Sequence, residues 1–358
     1  MTNLVKLTKN GVLSVHFRDS TDNLSRLICN FKCSYCIINN LKIKERRFNK
    51  EDFQQTKFIW DLLSKIEDSI HVRINFHGEI FADKWAKECG FYINKISNVK
   101  VFEIITNNSI NPKKYMDKLD LVKSSFNCSY HPEFITLENF INNCNILKKA
   151  GCEVFANMVC TPQIISKIPK IYNRFEKSDI ELKLQAFQTH GFKYLEKQYP
   201  KDYTIKERKI LKKYFDCKEG YEYSVERKRT KGLDCYAGVN MINIFLNGAV
   251  RRCFTGALGS YSKKKSKLKS MIPEKVRDKI NLFLGGKIEK NFLRQVRGYI
   301  PMDHHLQDLI SGKIRLEMNP YPCHENYCHP YAHFMHLKEF VGKYPPSERF
   351  IDNYELTK

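Results

Sequence analysis

Short runs in which apolar and β-branched residues dominate recur through the first half of the chain, at GVLSVHF (11–17), HVRINF (71–76), KVFEIIT (100–106), LVKSSFNC (121–128), CEVFANMV (152–159) and ELKLQAF (181–187). Their length and composition predict six strands. Between them lie longer stretches with helical spacing: EDFQQTKFIWDLLSKIED (51–68), KWAKECGFYINKI (84–96) and ITLENFINNCNILKKAG (135–151), the last ending on Gly151 as a helix stop. Repeated alternation of strand and helix predicts a parallel sheet, either open and doubly wound or partly closed into a barrel.

The texture changes near residue 190. KYLEKQYPKDYTIKERKILKKYF (193–215) predicts a turn around Pro200 and then a charged helix opened by Thr204, with Glu207 three residues on as its capping partner. NMINIFLNGAVRRC (240–253) carries two alternating runs around Asn247-Gly248, a strong hairpin signal. The organisation expected is therefore a sheet domain over 1–190, a helical linker over 191–230 and a smaller α+β unit over 231–358. Within that unit the basic run SYSKKKSKLKS (260–270) predicts a solvated loop, with phosphate binding as the other reading.

Composition narrows the class. Hydrophobic residues make up 42% of the chain and aromatics 13%, enough for a substantial core. No apolar run reaches membrane-spanning length and the amino terminus lacks a signal-peptide pattern, so a cytoplasmic protein without a membrane span is expected. Thirteen clustered cysteines in such a compartment point to metal binding and away from a disulfide framework. The net charge of +22 suits an anionic partner, with a generally lysine-rich surface as the alternative. A zinc-stabilised nucleic-acid-binding protein is a separate reading, but the chain has neither a zinc-finger spacing nor aromatics interleaved with basic residues on one surface.

The densest cysteine run is CNFKCSYC (29–36), with three residues between Cys29 and Cys33 and two between Cys33 and Cys36. Closely spaced thiolates select zinc or iron-sulfur clusters. A structural zinc ion needs four ligands, whereas a four-iron cluster held by three thiolates leaves one iron open to a small molecule. This run, with aromatic Tyr35 before its last cysteine, resembles the signature of the radical S-adenosylmethionine (SAM) superfamily. Further landmarks follow in order: His77-Gly78-Glu79 resembles the family's Gly-Gly-Glu-Pro-like turn, and ITNN (105–108) resembles its Thr-Asn-Gly. His77 departs from the first glycine and Ile80 from the proline.

The resemblance implies a partial (β/α)6 barrel, a [4Fe-4S] cluster on Cys29, Cys33 and Cys36, and bound SAM. It also implies reductive cleavage of SAM to a 5′-deoxyadenosyl radical, with a flavodoxin- or ferredoxin-type electron donor. Tyr35, Gly78 and Glu79 are then cofactor contacts. Thr106, Asn107, Ser129 and Asn157, at the carboxyl ends of strands, are expected contacts on general α/β grounds, with capping or turn roles as the plain alternative.

Cys235, twelve residues, Gly248, four residues and Cys253 form a second pattern, and Cys323 and Cys328 offer two more thiols. The first half resembles the opening of the SPASM or shorter twitch extension, which implies one auxiliary [4Fe-4S] cluster that accepts or relays an electron. The four-residue gap between Cys323 and Cys328 departs from that pattern, leaving His324, His329 and His333 as alternative ligands and zinc as an alternative metal. Cys89, Cys128, Cys144, Cys152, Cys160 and Cys217 read as small core residues. Cys128 and Cys160 are also expected at strand ends facing the site, as candidate hydrogen-atom donors.

Only 28 residues precede Cys29, too few for a leader-peptide recognition domain. The expectation is a small polar substrate, such as a sugar or nucleotide-linked metabolite, undergoing dehydrogenation or epimerisation. Maturation of a ribosomally made peptide is the alternative.

Overall fold

The computed structural model describes residues 5–19, 25–189, 191–253, 304–323, 326–328 and 337–338. The basic run 260–270 and the alternative ligands His324, His329 and His333 lie outside the described residues. Thirteen strands are described: β1 (Val12–Arg18), β2 (Ser25–Leu27), β3 (Lys44–Arg46), β4 (Ser69–Ile74), β5 (Val99–Thr106), β6 (Ser124–Ser129), β7 (Glu153–Cys160), β8 (Glu181–Ala186), β9 (Asp234–Cys235), β10 (Met241–Phe245), β11 (Ala249–Arg251), β12 (His304–His305) and β13 (Tyr321–Pro322). The principal helices are α1 (Ile37–Asn40), α2 (Lys50–Leu63), α3 (Lys84–Asn94), α4 (Leu137–Lys149), α5 (Pro162–Ile165), α6 (Ile168–Glu176), α7 (Ile205–Tyr214), α8 (Lys218–Ser224) and α9 (Leu306–Ile310).

Local chemistry sets the helix limits. Thr136 accepts from the Asn139 amide at the start of α4, and Gly151 follows its end in the left-handed region at φ 90°. Thr204 and Glu207 form the reciprocal capping box expected for α7. Among the described residues no helix is long and apolar enough to cross a membrane.

The strands form a nine-stranded sheet in the order β12-β11-β10-β1-β4-β5-β6-β7-β8. Strands β1, β4, β5, β6, β7 and β8 pair in parallel with their sequence neighbours, giving an α/β fold with a large parallel sheet. The hairpin β10–β11, turning at Gly248 with φ 81°, does not stand apart. Its first strand pairs in parallel with β1, so it extends the main sheet.

Each strand alternates between two faces, and the two faces differ in character. One presents Leu13, Val15, Phe17, Val72, Ile74, Phe102, Ile104 and Phe126 to a core shared with Ile59 and Trp60 of α2 and Phe140 of α4. Phe17 meets Trp60 edge-on at 5.7 Å. Burial of each large side chain there contributes about 1.5–3 kcal/mol.

The opposite face carries a polar row. Hydrogen-bond register aligns Asn243, His16, Arg73, Glu103, Ser125 and Glu153 across six adjacent strands. All but Glu153 are buried. Parallel strands buried on both faces ordinarily read as continuous apolar runs, and burying polar groups costs stability unless they are paired. Here Glu103 Oε2 accepts from Arg73 Nε at 2.9 Å and its Oε1 from Asn127 Nδ2 at 3.2 Å.

Removing one partner of that pair isolates a buried charge. Glu103→Leu is expected to lower unfolding free energy by about 3–5 kcal/mol in urea titration, and adding Arg73→Met should restore part of the loss. A double variant no more stable than Glu103→Leu would show that the two side chains are not coupled.

Candidate metal centres

The first cysteine loop follows β2 and is clasped from two sides. The Asp19 carboxylate accepts from the Leu27 amide at 2.9 Å and the His77 amide at 3.3 Å, and its other oxygen lies 2.6 Å from His77 Nδ1. Burial drives His77 below its ordinary value against the raising effect of Asp19. Burial works to raise Asp19, but His77, Arg26 and the Leu27 amide together hold it well below the usual carboxylate range. His77, the departure from the family's glycine, thus ties the β4 end to the loop.

Gly78 is the second clasp. A β-carbon there would stand 2.2 Å from the Leu27 carbonyl oxygen and 2.4 Å from that of Ile28, both rigid backbone atoms. Only glycine permits this approach.

Within the loop Cys33 is buried and Cys29 and Cys36 are half-buried, all three as free thiols. Cys36 stands at the start of α1. Burial is the main cause that raises Cys29 to about 11, with Glu79, Cys36 and Glu45 adding to it against the Phe31 amide. Cys33 is pushed up to about 12, by burial first and then by Cys36.

Glu79 is buried and bonded three times. Oε1 accepts from Phe81 N at 3.0 Å and Thr106 Oγ1 at 2.8 Å, and Oε2 from Asn107 N at 2.6 Å. A carboxylate has about four acceptor sites, so one remains. Asn107 Nδ2 reaches Asn30 Oδ1 at 2.9 Å and stands 3.8 Å from Cys29 Sγ, joining the β5 end to the loop. Ser129, the last residue of β6, is the register partner of Asn157 in the middle of β7, both on the polar face.

Tyr35 stacks on His131 at 6.0 Å and its hydroxyl lies 2.7 Å from His131 Nδ1, itself 3.5 Å from Cys33 Sγ. Burial lowers His131 to about 4, leaving it neutral. His131 was not anticipated; its signal is the Ser-Tyr-His-Pro stretch that follows β6 directly. A cleft of about 530 Å³ opens beside the loop, lined by Asn30, Phe31, Ser109, Asn111, Phe134 and Asn143 among others. Phe31 stacks on Phe134 at 4.9 Å.

Cys128 and Cys160 do not face this site. Strand alternation puts them in register with Ala156 and Ala186 on the apolar face, fully buried in the core, where Cys128 interacts with Cys144 of α4. Their thiols are shut off from the polar face by the sheet itself. Cys128 is nevertheless the register partner of Thr106, which donates to Glu79.

The second set of cysteines comes together from distant segments. β9 pairs with β13, setting Cys235 opposite Tyr321, two residues before Cys323. Cys253 follows β11. Cys253, Cys323 and Cys328 pack against the small core that contains Cys235. Burial chiefly raises Cys235 to about 12, with Cys253 and Cys323 adding to it. Cys328 is raised well above the ordinary thiol, by burial and then by Cys235, Cys323 and Cys253.

Both cysteine sets bring thiols close to one another. Their thiols repel one another when ionised and lie in settings that penalise a bare thiolate, which bound cations relieve. Among the described residues no group of three or more His, Cys, Asp or Glu side chains is placed to hold a metal ion. A cluster offers a separate iron to each thiolate, and three thiols in one loop leave one iron without a protein ligand.

No family model matches the chain, and no curated protein matches it. Several solved structures are similar. Streptococcus suis SuiB is 16% identical with a TM-score of 0.43, the match covering 73% of this chain and 63% of that one. The chain thus spans less than two thirds of SuiB. The structure of anSMEcpe with bound AdoMet is 16% identical with a TM-score of 0.48, covering 96% of this chain and 100% of that one. BtrN in complex with AdoMet and 2-DOIA is 13% identical with a TM-score of 0.30, covering 78% and 91%.

Gly78→Ala should displace the Leu27–Cys29 backbone, lowering stability by about 1–3 kcal/mol and reducing the iron retained after anaerobic reconstitution. Gly90→Ala is the control, because its nearest contact is the movable Ile80 side chain at 3.2 Å. Equal iron content and stability in the two variants would contradict the clasp.

Proposed function

We propose that the chain is a radical SAM enzyme acting on a small polar substrate, such as a sugar or nucleotide-linked metabolite, by dehydrogenation or epimerisation. The observation that carries this reading is the three-cysteine loop, reduced and partly buried, fastened to the carboxyl ends of parallel strands beside a buried polar face. Cys29, Cys33 and Cys36 would hold a [4Fe-4S] cluster. Cys235, Cys253, Cys323 and Cys328 would hold an auxiliary one. When bound, the first cluster and SAM would supply radical chemistry for hydrogen-atom abstraction.

The remaining work belongs to the chain. Gly78 lets the backbone approach the loop, and the remaining acceptor site of Glu79 suits an ammonium group such as that of SAM. Tyr35 and His131 wall the loop and exclude water from Cys33. The polar row offers buried hydrogen-bonding groups that orient a hydroxyl-rich substrate better than a long apolar peptide. That contrast favours the metabolite reading.

Anaerobically purified protein should be brown and contain about eight irons per chain. With dithionite and SAM it should form 5′-deoxyadenosine, and Cys29→Ala, Cys33→Ala or Cys36→Ala should abolish that product. Colourless protein, or 5′-deoxyadenosine formation surviving all three substitutions, would overturn the proposal.

A further inference from the structure

The two cysteine sets sit in fields of opposite sign. Carboxylates surround the first. Glu45 Oε1 accepts from the Cys29 amide at 3.3 Å, and Glu133 accepts from the Ser34 amide at 2.8 Å and its hydroxyl at 2.6 Å, next to Cys33. Glu79 is joined to the loop through Asn107. Lys32 offsets Glu45, but on an exposed side chain where screening is strong.

Guanidinium groups surround the second. Arg252 is buried beside Cys253, and its Nη2 donates to the carbonyls of Cys235 at 3.3 Å and Tyr321 at 3.0 Å. It therefore spans the two segments that carry Cys235 and Cys323. Arg227 lies 4.7 Å over the ring of Tyr327, the neighbour of Cys328. Its Nη1 is buried with no hydrogen-bond partner among the described residues. Arg18 is buried at the end of β1, donates to Asn243 at 2.7 Å and acts electrostatically on Cys253. Asp234 adjoins Cys235, but it is largely exposed and faces Lys338 at 4.0 Å.

Reducing a cluster adds one negative charge. A fixed cation nearby stabilises the reduced form and raises the potential, a carboxylate lowers it, and burial strengthens both effects. A buried guanidinium N–H without a partner costs stability unless an acceptor arrives, and a cluster sulfide is such an acceptor.

We propose that Arg227 and Arg252, supported by Arg18, hold the auxiliary cluster at a higher reduction potential than the cluster of the first loop. The proposal rests on the reading that both cysteine sets carry clusters. The arginines act through their charge and, for Arg227, a hydrogen bond to the cluster; they touch no substrate.

The test is an EPR-monitored potentiometric titration of the full-length anaerobic protein with Arg227→Gln, Arg252→Gln and Arg252→Lys. Each Gln variant should shift the reduced-to-oxidised ratio of the auxiliary cluster about tenfold toward oxidised, ~59 mV for a one-electron couple. The first cluster should not move, and Arg252→Lys should keep most of the wild-type potential. If Arg252→Gln fails to load iron, Arg227→Gln and Arg252→Lys still decide. Two clusters with an auxiliary potential unmoved in Arg227→Gln, or lower than the first cluster's in wild type, would overturn the proposal. About four irons and a single EPR species would overturn the underlying two-cluster reading instead, and this inference with it.

Discussion

Three thiols in one eight-residue loop cannot all ionise beside one another without a compensating cation, and the region around the loop is organised about that constraint. Burial and mutual repulsion lift Cys29 and Cys33 far above an ordinary thiol. The protein does not relax the strain by spreading the loop. It pins the loop with Asp19 and His77 on one side, Gly78 underneath and Asn107 at the β5 end. Rigid placement of a donor set that is poor by itself is what a resident cluster requires and what a disulfide or a solvated loop does not.

The sheet shows the same division between scaffold and site. Its apolar face is filled by α2, α3, α4 and α6 and accounts for stability through burial. Its polar face places His16, Arg73, Glu103 and Asn243 in one row at a cost that packing alone does not explain. Arg18, at the end of β1, is a member of this face and acts electrostatically on Cys253.

What was legible in the sequence was local. The six strands, the helices α2, α3 and α4, the Thr204–Glu207 cap and the Gly248 hairpin follow from residue pattern and capping chemistry within a few positions. Spacing suggests a shared site for Cys235, Cys253, Cys323 and Cys328, and the last three pack against the small core that contains Cys235. What was not legible depends on pairing across long separations. Parallel addition of β10 to β1 joins residues more than two hundred positions apart, and the polar row exists only once register is set. His131 reaches Cys33 across 98 positions. A strand end says nothing about which face a side chain takes, and only parity against Ala156 and Ala186 puts Cys128 and Cys160 on the apolar one.

The central claim is that the first loop holds a cluster with one iron free to take a small molecule. Mössbauer spectroscopy of ⁵⁷Fe-reconstituted protein carrying Cys235→Ala and Cys253→Ala tests it directly. The account predicts a four-iron spectrum in which one iron changes its isomer shift when SAM is added and three do not. A spectrum unchanged by SAM, or protein that retains no iron on the first loop, would contradict it.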